Sequence, residues 1–232
     1  MKIYADDQLL ATGLRGGTLS RHTGNMRETA TQTPVYQALN IPADKILHFH
    51  QKHSDKIISI SSPAEAQALA QRNTQEADAW VLANCPGWGA AILTADCVPL
   101  FLWDTTGNFF ALAHCGWRGV VRQLPYKTAE ALKQAGAKDP LFAYLGPHIQ
   151  KCCFEVQADT ACHFSPQSVL TQNNKVFVDL TAEIRLQLEK AGLTAKNIHA
   201  PAYCTCCDKD NFFSWRRDHI RQNLLSFMYH PL

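Results

Sequence analysis

Three stretches of the chain end an apolar run on a side chain that can bind metal or carry a proton. They are Gln51-Lys52-His53, Thr94-Ala95-Asp96-Cys97 and Ala113-His114-Cys115-Gly116-Trp117-Arg118-Gly119. A strand end holds a side chain rigidly while letting it reach a cleft. Singly, each has an ordinary explanation: a surface or capped histidine, or a cysteine packed as a small hydrophobe. Together, two imidazoles and one thiolate make the ligand set of an open catalytic zinc site, whose fourth position takes water or substrate. Their spacing is not that of a local zinc motif, so spacing alone does not certify the site. Cys97 and His114 equally suit a thiol nucleophile and its base, since a thiolate beside an imidazole serves either role.

The elements that must position these residues are legible mainly after residue 45. In Ile46-Leu47-His48-Phe49-His50-Gln51-Lys52-His53 the apolar Leu47 and Phe49 alternate with His48 and His50, the period-2 pattern of a half-buried strand. If that pleat runs on, His53 shares the face of Leu47 and Phe49, and His48 and His50 point the other way. Residues 63–72 read as a short helix with Pro63 in its first turn. Ala90 to Ala95, Val98 to Trp103 and Phe109 to Ala113 are apolar runs of strand length, as expected for strands covered on both faces. Tyr126 to Ala135 is predicted helical up to Gly136, and Leu141 to Leu145 a strand stopped by Gly146-Pro147. A strand at Lys175–Val178 leads through Asp179 as cap into a helix over 181–191 closed by Gly192. A strand near 198–203 and a terminal amphipathic helix over 218–228 complete the reading. Arg15 to Ser20 reads as a turn, and 29–43 as polar and unassigned. Strands alternating with helices predict a layered α/β/α domain with a mixed sheet, spanning 1–232 as one unit.

Composition bounds the function. The 232 residues are 46% hydrophobic and 18% charged, with 22 basic against 20 acidic side chains, so disorder is excluded and no polyanion-binding surface is implied. Arg216-Arg217 is the one basic doublet of note, and nucleic acid is not an expected partner. No apolar stretch reaches the 18 or so residues a spanning helix needs, and two acids within the first seven residues argue against an export signal. The nine cysteines crowd into Cys152-Cys153 and Cys204-Thr205-Cys206-Cys207, unlike a disulfide framework. Reduced thiols in a cytoplasm are the expectation.

Along residues 45–232 the chain resembles the YfiH-type laccase-domain family, also called the multicopper polyphenol oxidase or purine nucleoside phosphorylase family. Gln51-Lys52-His53 resembles its Q-V-H, Thr94-Ala95-Asp96-Cys97 its T-A-D-C, and His114-Cys115-Gly116-Trp117-Arg118-Gly119 its H-A-G-W-R-G. Gly146-Pro147-His148-Ile149 with Cys153-Phe154-Glu155-Val156, Val178-Asp179-Leu180, and Cys204-Thr205 followed by Phe212-Phe213-Ser214-Trp215-Arg216-Arg217 continue it in the same order. The family's amino-terminal S-L-N-L and N-R stretches have no clear counterpart within 1–45. Its T-G-R after the arginine pair is replaced by Asp218-His219-Ile220-Arg221.

The resemblance implies metal ligands at His53, Cys97 and His114. It implies either zinc-dependent purine nucleoside chemistry or copper-dependent phenol oxidation. The former covers phosphorolysis of adenosine, inosine, guanosine and methylthioadenosine, and adenosine deamination. A multicopper site wants paired histidines, and only His48-Phe49-His50 has that form; an axial methionine beside a copper would have to come from Met1, Met26 or Met228, none near the ligands in sequence. Zinc with an open position is therefore the expected cofactor, with copper as the alternative. Asp96 and Glu155 are the candidate acid/base carboxylates. Arg118 and one of Arg216 and Arg217 are candidates to hold phosphate. Trp117, Phe212 and Phe213 are candidate stacking faces, with core packing the competing fate of at least two. Some family members carry a peptidoglycan-editing role, which would go with the thiol-hydrolase alternative. Cys152, Cys153, Cys204, Cys206 and Cys207 supply enough thiolates for a second, structural zinc site, although adjacent cysteines are poor tetrahedral chelators.

Overall fold

The computed structural model describes residues 1–72 and 74–232. Its strands are β1 (Ile3–Tyr4), β2 (Arg15–Leu19), β3 (Ile46–Leu47), β4 (Ile57–Ile60), β5 (Ala79–Ala83), β6 (Gly89–Thr94) and β7 (Val98–Trp103). There follow β8 (Phe109–Cys115), β9 (Phe142–Leu145), β10 (Glu155–Val156), β11 (Val169–Gln172), β12 (Lys175–Val178), β13 (Ile198–His199) and β14 (Leu224–Tyr229). The α-helices are α1 (Asp7–Ala11), α2 (Thr29–Ala38), α3 (Pro63–Arg72), α4 (Trp117–Val121), α5 (Leu124–Gln134), α6 (Ala158–Ala161), α7 (Leu180–Lys190) and α8 (Trp215–Asp218).

The fold is mixed α/β with mixed sheets. A six-stranded sheet runs β13-β9-β7-β8-β5-β4, a five-stranded sheet β1-β2-β14-β6-β3, and a three-stranded sheet β10-β12-β11. Successive residues of the central strands serve two different cores, which is why they read as unbroken apolar runs. On β5, β7 and β8, Val81, Leu100, Leu102 and Ala111 face a core closed by Leu124 and Leu132 of α5 and Ile184 and Leu188 of α7. Their neighbours Trp80, Leu82, Phe101, Trp103, Phe110 and Leu112 face the other way, onto Ala90 and Ile92 of β6 and Met228 of β14. The outer face of the five-stranded sheet packs Ala91, Leu225 and Phe227 on Val35 and Tyr36 of α2. Helices lie outside and sheets inside, as the sequence leads one to expect, with the sheet layer doubled.

Several local expectations are corrected. Arg15 to Leu19 is strand β2, and the polar stretch after residue 28 holds helix α2. The segment read as a terminal amphipathic helix is a loop followed by β14, which lies between β2 and β6 with all six residues buried. Its alternate residues enter different cores, and a short apolar run of this kind does not reveal its period. The strand at Ile46 stops at Leu47, and that near residue 198 at His199. Among the described residues no helix is long and apolar enough to cross a membrane.

Candidate functional site

The six-stranded sheet presents one end of three neighbouring strands to a cavity of about 1060 Å³. In the β7–β8 ladder Val98 opposes Cys115 and Pro99 opposes His114, so Cys97 stands one residue beyond the ladder. On the other side Ala79 opposes Ala113, which brings Asp78 beside His114. The His114 amide donates to the Asp78 carbonyl at 2.7 Å. Cys97 and His114 are thus set by strand register.

His53 arrives differently. The chain leaves β3 after Leu47, and the Gln51 side chain takes over as a false strand. Its amide donates to the Leu93 carbonyl at 2.7 Å and accepts from the Leu93 N–H at 2.8 Å. His53 then adopts a left-handed φ of 56°. The uninterrupted pleat expected through His53 is absent, and of the two histidines expected to point away from it only His48 does. His48 turns to the Tyr36 hydroxyl at 3.3 Å, and burial pushes its pKa down to about 4. His50 lines the cavity without joining the cluster.

The residue that organises the centre is Asp78, which the sequence reading missed. Wholly buried, it accepts from the amides of Lys52, His53 and Ser54 at 3.2, 3.0 and 2.6 Å and from the Ser54 hydroxyl at 2.6 Å. It also accepts from His114 Nδ1 at 2.9 Å, which leaves Nε2 to face the cysteine. Burial opposes its negative charge, but these donors outweigh that and hold its pKa below the usual carboxylate value. The available signal was a carboxylate placed directly before a wholly apolar strand, Asp78-Ala79-Trp80-Val81-Leu82.

One ligating atom each from His53, Cys97 and His114 falls within 4.8 Å of the others. Cys97 Sγ is 3.8 Å from His53 Nε2, and the two rings meet edge to face with centroids 4.7 Å apart. Gly116 makes this approach sterically feasible: a Cβ there would sit 2.6 Å from His53 Cδ2 and 3.2 Å from Cys97 Sγ. Burial alone would raise the Cys97 thiol, yet the His114 and His53 rings bring it down to about 6. Burial would likewise lower His114, but the Cys97 sulfur and Asp78 raise it to about 9. His114 is buried, Cys97 half-buried and His53 exposed, so the cluster opens toward the cavity through His53.

The other candidates separate. Asp96, with φ of 91°, lines the cavity, and its two oxygens accept from the Thr205 hydroxyl and the Arg216 amide, both at 2.7 Å. It thereby ties α8 over the sheet end. Glu155 lines the cavity half-exposed and pairs with Lys175 at 2.9 Å. Arg118 lines it exposed, its guanidinium 4.4 Å from the Trp117 ring centre. The doublet sits on helix α8, where its members diverge. Arg216 lines the cavity while donating to the carbonyls of Cys153 and Glu155 at 3.0 and 2.9 Å. Arg217 is absent from the lining, its donors taken by Asp218 and the carbonyls of Thr205, Cys206 and Phe212. Phe212 and Phe213 are core residues packed with Tyr4 and Leu224, whereas Trp117 and the exposed Trp215 border the cavity. Arg27, Lys52 and Arg221, none of them among the sequence candidates for binding, add positive charge to the rim.

The chain matches the family model described as multi-copper polyphenol oxidoreductase laccase over residues 17–228. It is 32% identical over 190 residues to adenosine deaminase RL5 from an unknown prokaryotic organism, covering 77% of this chain and 72% of that one. It is also 32% identical over 216 residues to a purine nucleoside phosphorylase of Xylella fastidiosa (strain Temecula1), covering 84% and 79%. In fold it superposes on the crystal structure of YlmD from Geobacillus stearothermophilus with a TM-score of 0.83, at 21% identity over 95% of this chain and 93% of that one. With residues 17–228 of 232 accounted for, the chain belongs to the multi-copper polyphenol oxidoreductase laccase family.

Proposed function

We propose that this chain is a metal-dependent enzyme acting on purine nucleosides, cleaving them with phosphate and deaminating adenosine, with methylthioadenosine a further substrate of the first reaction. The observation that carries the reading is the meeting of His53, Cys97 and His114 within 4.8 Å at the wall of a cavity of about 1060 Å³. The names of similar proteins, adenosine deaminase and purine nucleoside phosphorylase, support the substrate class.

Zinc fits this donor set. Two imidazoles and a thiolate, with a buried carboxylate fixing one ring by its second nitrogen, is the arrangement of an open zinc site and its supporting shell. Copper fits less well despite the family's descriptive name. Met26 and Met228 are buried in the cores and do not line the cavity, and His48 faces Tyr36. Among the described residues, no second cluster of potential ligands contains histidine. Bound by His53, Cys97 and His114, zinc would supply Lewis-acid chemistry, activation of water or polarisation of substrate.

The chain's own residues do the rest. Trp117 and Trp215 offer flat faces for a purine, and Arg118, Arg216, Arg27 and Arg221 make the cavity favourable for phosphate. Glu155 is the carboxylate assigned to proton transfer, since it borders the cavity and is half-exposed. Asp96, with both oxygens bonded to α8 and its approach, positions the wall that carries Trp215 and Arg216. We assign the chain to one functional unit in a reducing compartment, consistent with nine unpaired thiols.

A second reading rests on an observation of its own. Asp78 accepting from His114 Nδ1, with His114 beside a thiol of lowered pKa, is also the geometry of a cysteine hydrolase triad. One assay separates the two. Metal-replete protein is incubated with inosine or adenosine, with and without phosphate, before and after chelation, and bases and sugar phosphates are quantified. The nucleoside reading expects turnover that chelation abolishes and zinc restores. No consumption of either nucleoside by the replete protein overturns it, and a thiol-dependent hydrolysis that survives chelation establishes the alternative.

A further inference from the structure

We propose that Cys152, Cys153, Cys204 and Cys207 form a second metal centre, a structural zinc site independent of the nucleoside cavity. Their four sulfurs lie within 4.8 Å of one another. Cys152 Sγ is 3.7 Å from Cys153 Sγ and 3.6 Å from both Cys204 Sγ and Cys207 Sγ, and Cys153 Sγ is 3.3 Å from Cys207 Sγ. Four zinc–sulfur bonds of about 2.3 Å in tetrahedral array place sulfurs about 3.8 Å apart. Four of the six edges thus lie within about half an ångström of what one ion requires, and the other two fall within 4.8 Å.

The backbone accounts for how these ligands are gathered. Cys204 and Cys207 have the C-x-x-C spacing of a zinc-binding turn. Adjacent cysteines chelate poorly from extended chain because their side chains diverge. Here Cys152 and Cys153 sit in a turn closed by the Cys153 amide donating to the Gln150 carbonyl at 2.9 Å, and both sulfurs face the same group. Cys206, the fifth thiol of the segment, packs like Cys153 against the core but is not among the four.

Charge favours the same assignment. A zinc ion with four thiolates carries a net charge of about −2. The guanidinium of Arg216 donates to the Cys153 carbonyl at 3.0 Å, setting a cation beside the cluster, while Arg217, which reaches the Cys206 carbonyl at 3.2 Å, is already paired with Asp218. Such a centre also has a job in this fold. It would pin the turn before β10 to the loop before α8, joining the segment bearing Glu155 to the one bearing Trp215 and Arg216. Four protein ligands leave no open position, so the role is structural. Cys152 and Cys207 are exposed, which gives the ion a route in.

The test uses the full chain with the first centre disabled by His53→Ala, Cys97→Ser and His114→Ala together. It is purified under reducing conditions from zinc-containing medium, and metal content is measured by mass spectrometry. One zinc per chain is expected in this variant. Replacing that zinc by cobalt(II) is expected to give an intense thiolate-to-cobalt charge-transfer band. Cys204→Ser with Cys207→Ser in the wild-type background is expected to lower the zinc content by one per chain; should that variant not fold, the exposed Cys152→Ser is expected to release its metal to a chelator faster. The proposal is overturned if the triple variant holds no zinc while its thiols all titrate as free, or if a Cys153–Cys207 disulfide is found in the purified chain. Zinc in the triple variant equal to that in wild type would support this centre while removing the metal from the nucleoside reading.

Discussion

At the residue scale, the geometry of the His53, Cys97 and His114 cluster depends on two residues outside it. Asp78 concentrates five hydrogen bonds on one buried carboxylate, fixing both the His53 loop and the His114 ring. Asp78→Asn places an amide where donors converge, and zinc affinity measured by competition with a chromophoric chelator should fall about ten- to a hundredfold. Gly116 acts by having no side chain. Its φ of −68° suits any residue, so Gly116→Ala strains no backbone; the added methyl meets His53 at 2.6 Å. Metal content should drop while the melting temperature stays within a few degrees of wild type. The clustering of His53, Cys97 and His114 was legible in the sequence because the three stand at motif positions. Asp78 was not, because its role comes entirely from partners that folding brings to it.

At the element scale, the strands around the site form because their residues are apolar on both faces, and this made β6, β7 and β8 readable. The same property concealed β14. Leu224-Leu225-Ser226-Phe227-Met228-Tyr229 pairs on both edges and is buried throughout, with Ser226 satisfied by the Thr18 hydroxyl at 2.8 Å. Phe227→Ala should cost about 3–5 kcal/mol in denaturant unfolding, the range for a large-to-small change in a packed core. A peripheral helix would lose far less. The loop to His53 was misread for a different reason: its hydrogen bonds come from the Gln51 side chain, which imitates a strand that the backbone has already left. Helix α2 was hidden because its polar residues outnumber the two it buries, Val35 and Tyr36.

At the scale of the whole molecule, two sheets stacked between helices bring distant parts of the chain to one cavity, and only tertiary structure reveals the cationic rim of Arg27, Lys52 and Arg221. The same packing holds His48, half-buried, against Tyr36 with its pKa near 4, below the ordinary value of about 6.5. A histidine held neutral in the fold contributes stability that is fully present above pH 6.5 and is lost as pH falls toward 4, because the unfolded chain takes up the proton first. The loss from this group should be on the order of 2–3 kcal/mol. Unfolding profiles between pH 7 and pH 4 should be correspondingly flatter for His48→Gln, which keeps an acceptor for the tyrosine but cannot titrate. Metal retention at neutral pH should be unchanged in that variant.

The most direct measurement of the three-residue centre is anomalous diffraction at the zinc absorption edge from crystals of the metal-replete chain. The expected result is a peak bonded to His53 Nε2, Cys97 Sγ and His114 Nε2 at about 2.0–2.3 Å, with the fourth side open to the cavity. Replete crystals in which the three side chains carry no zinc peak, or in which zinc sits elsewhere in the cavity, would contradict it.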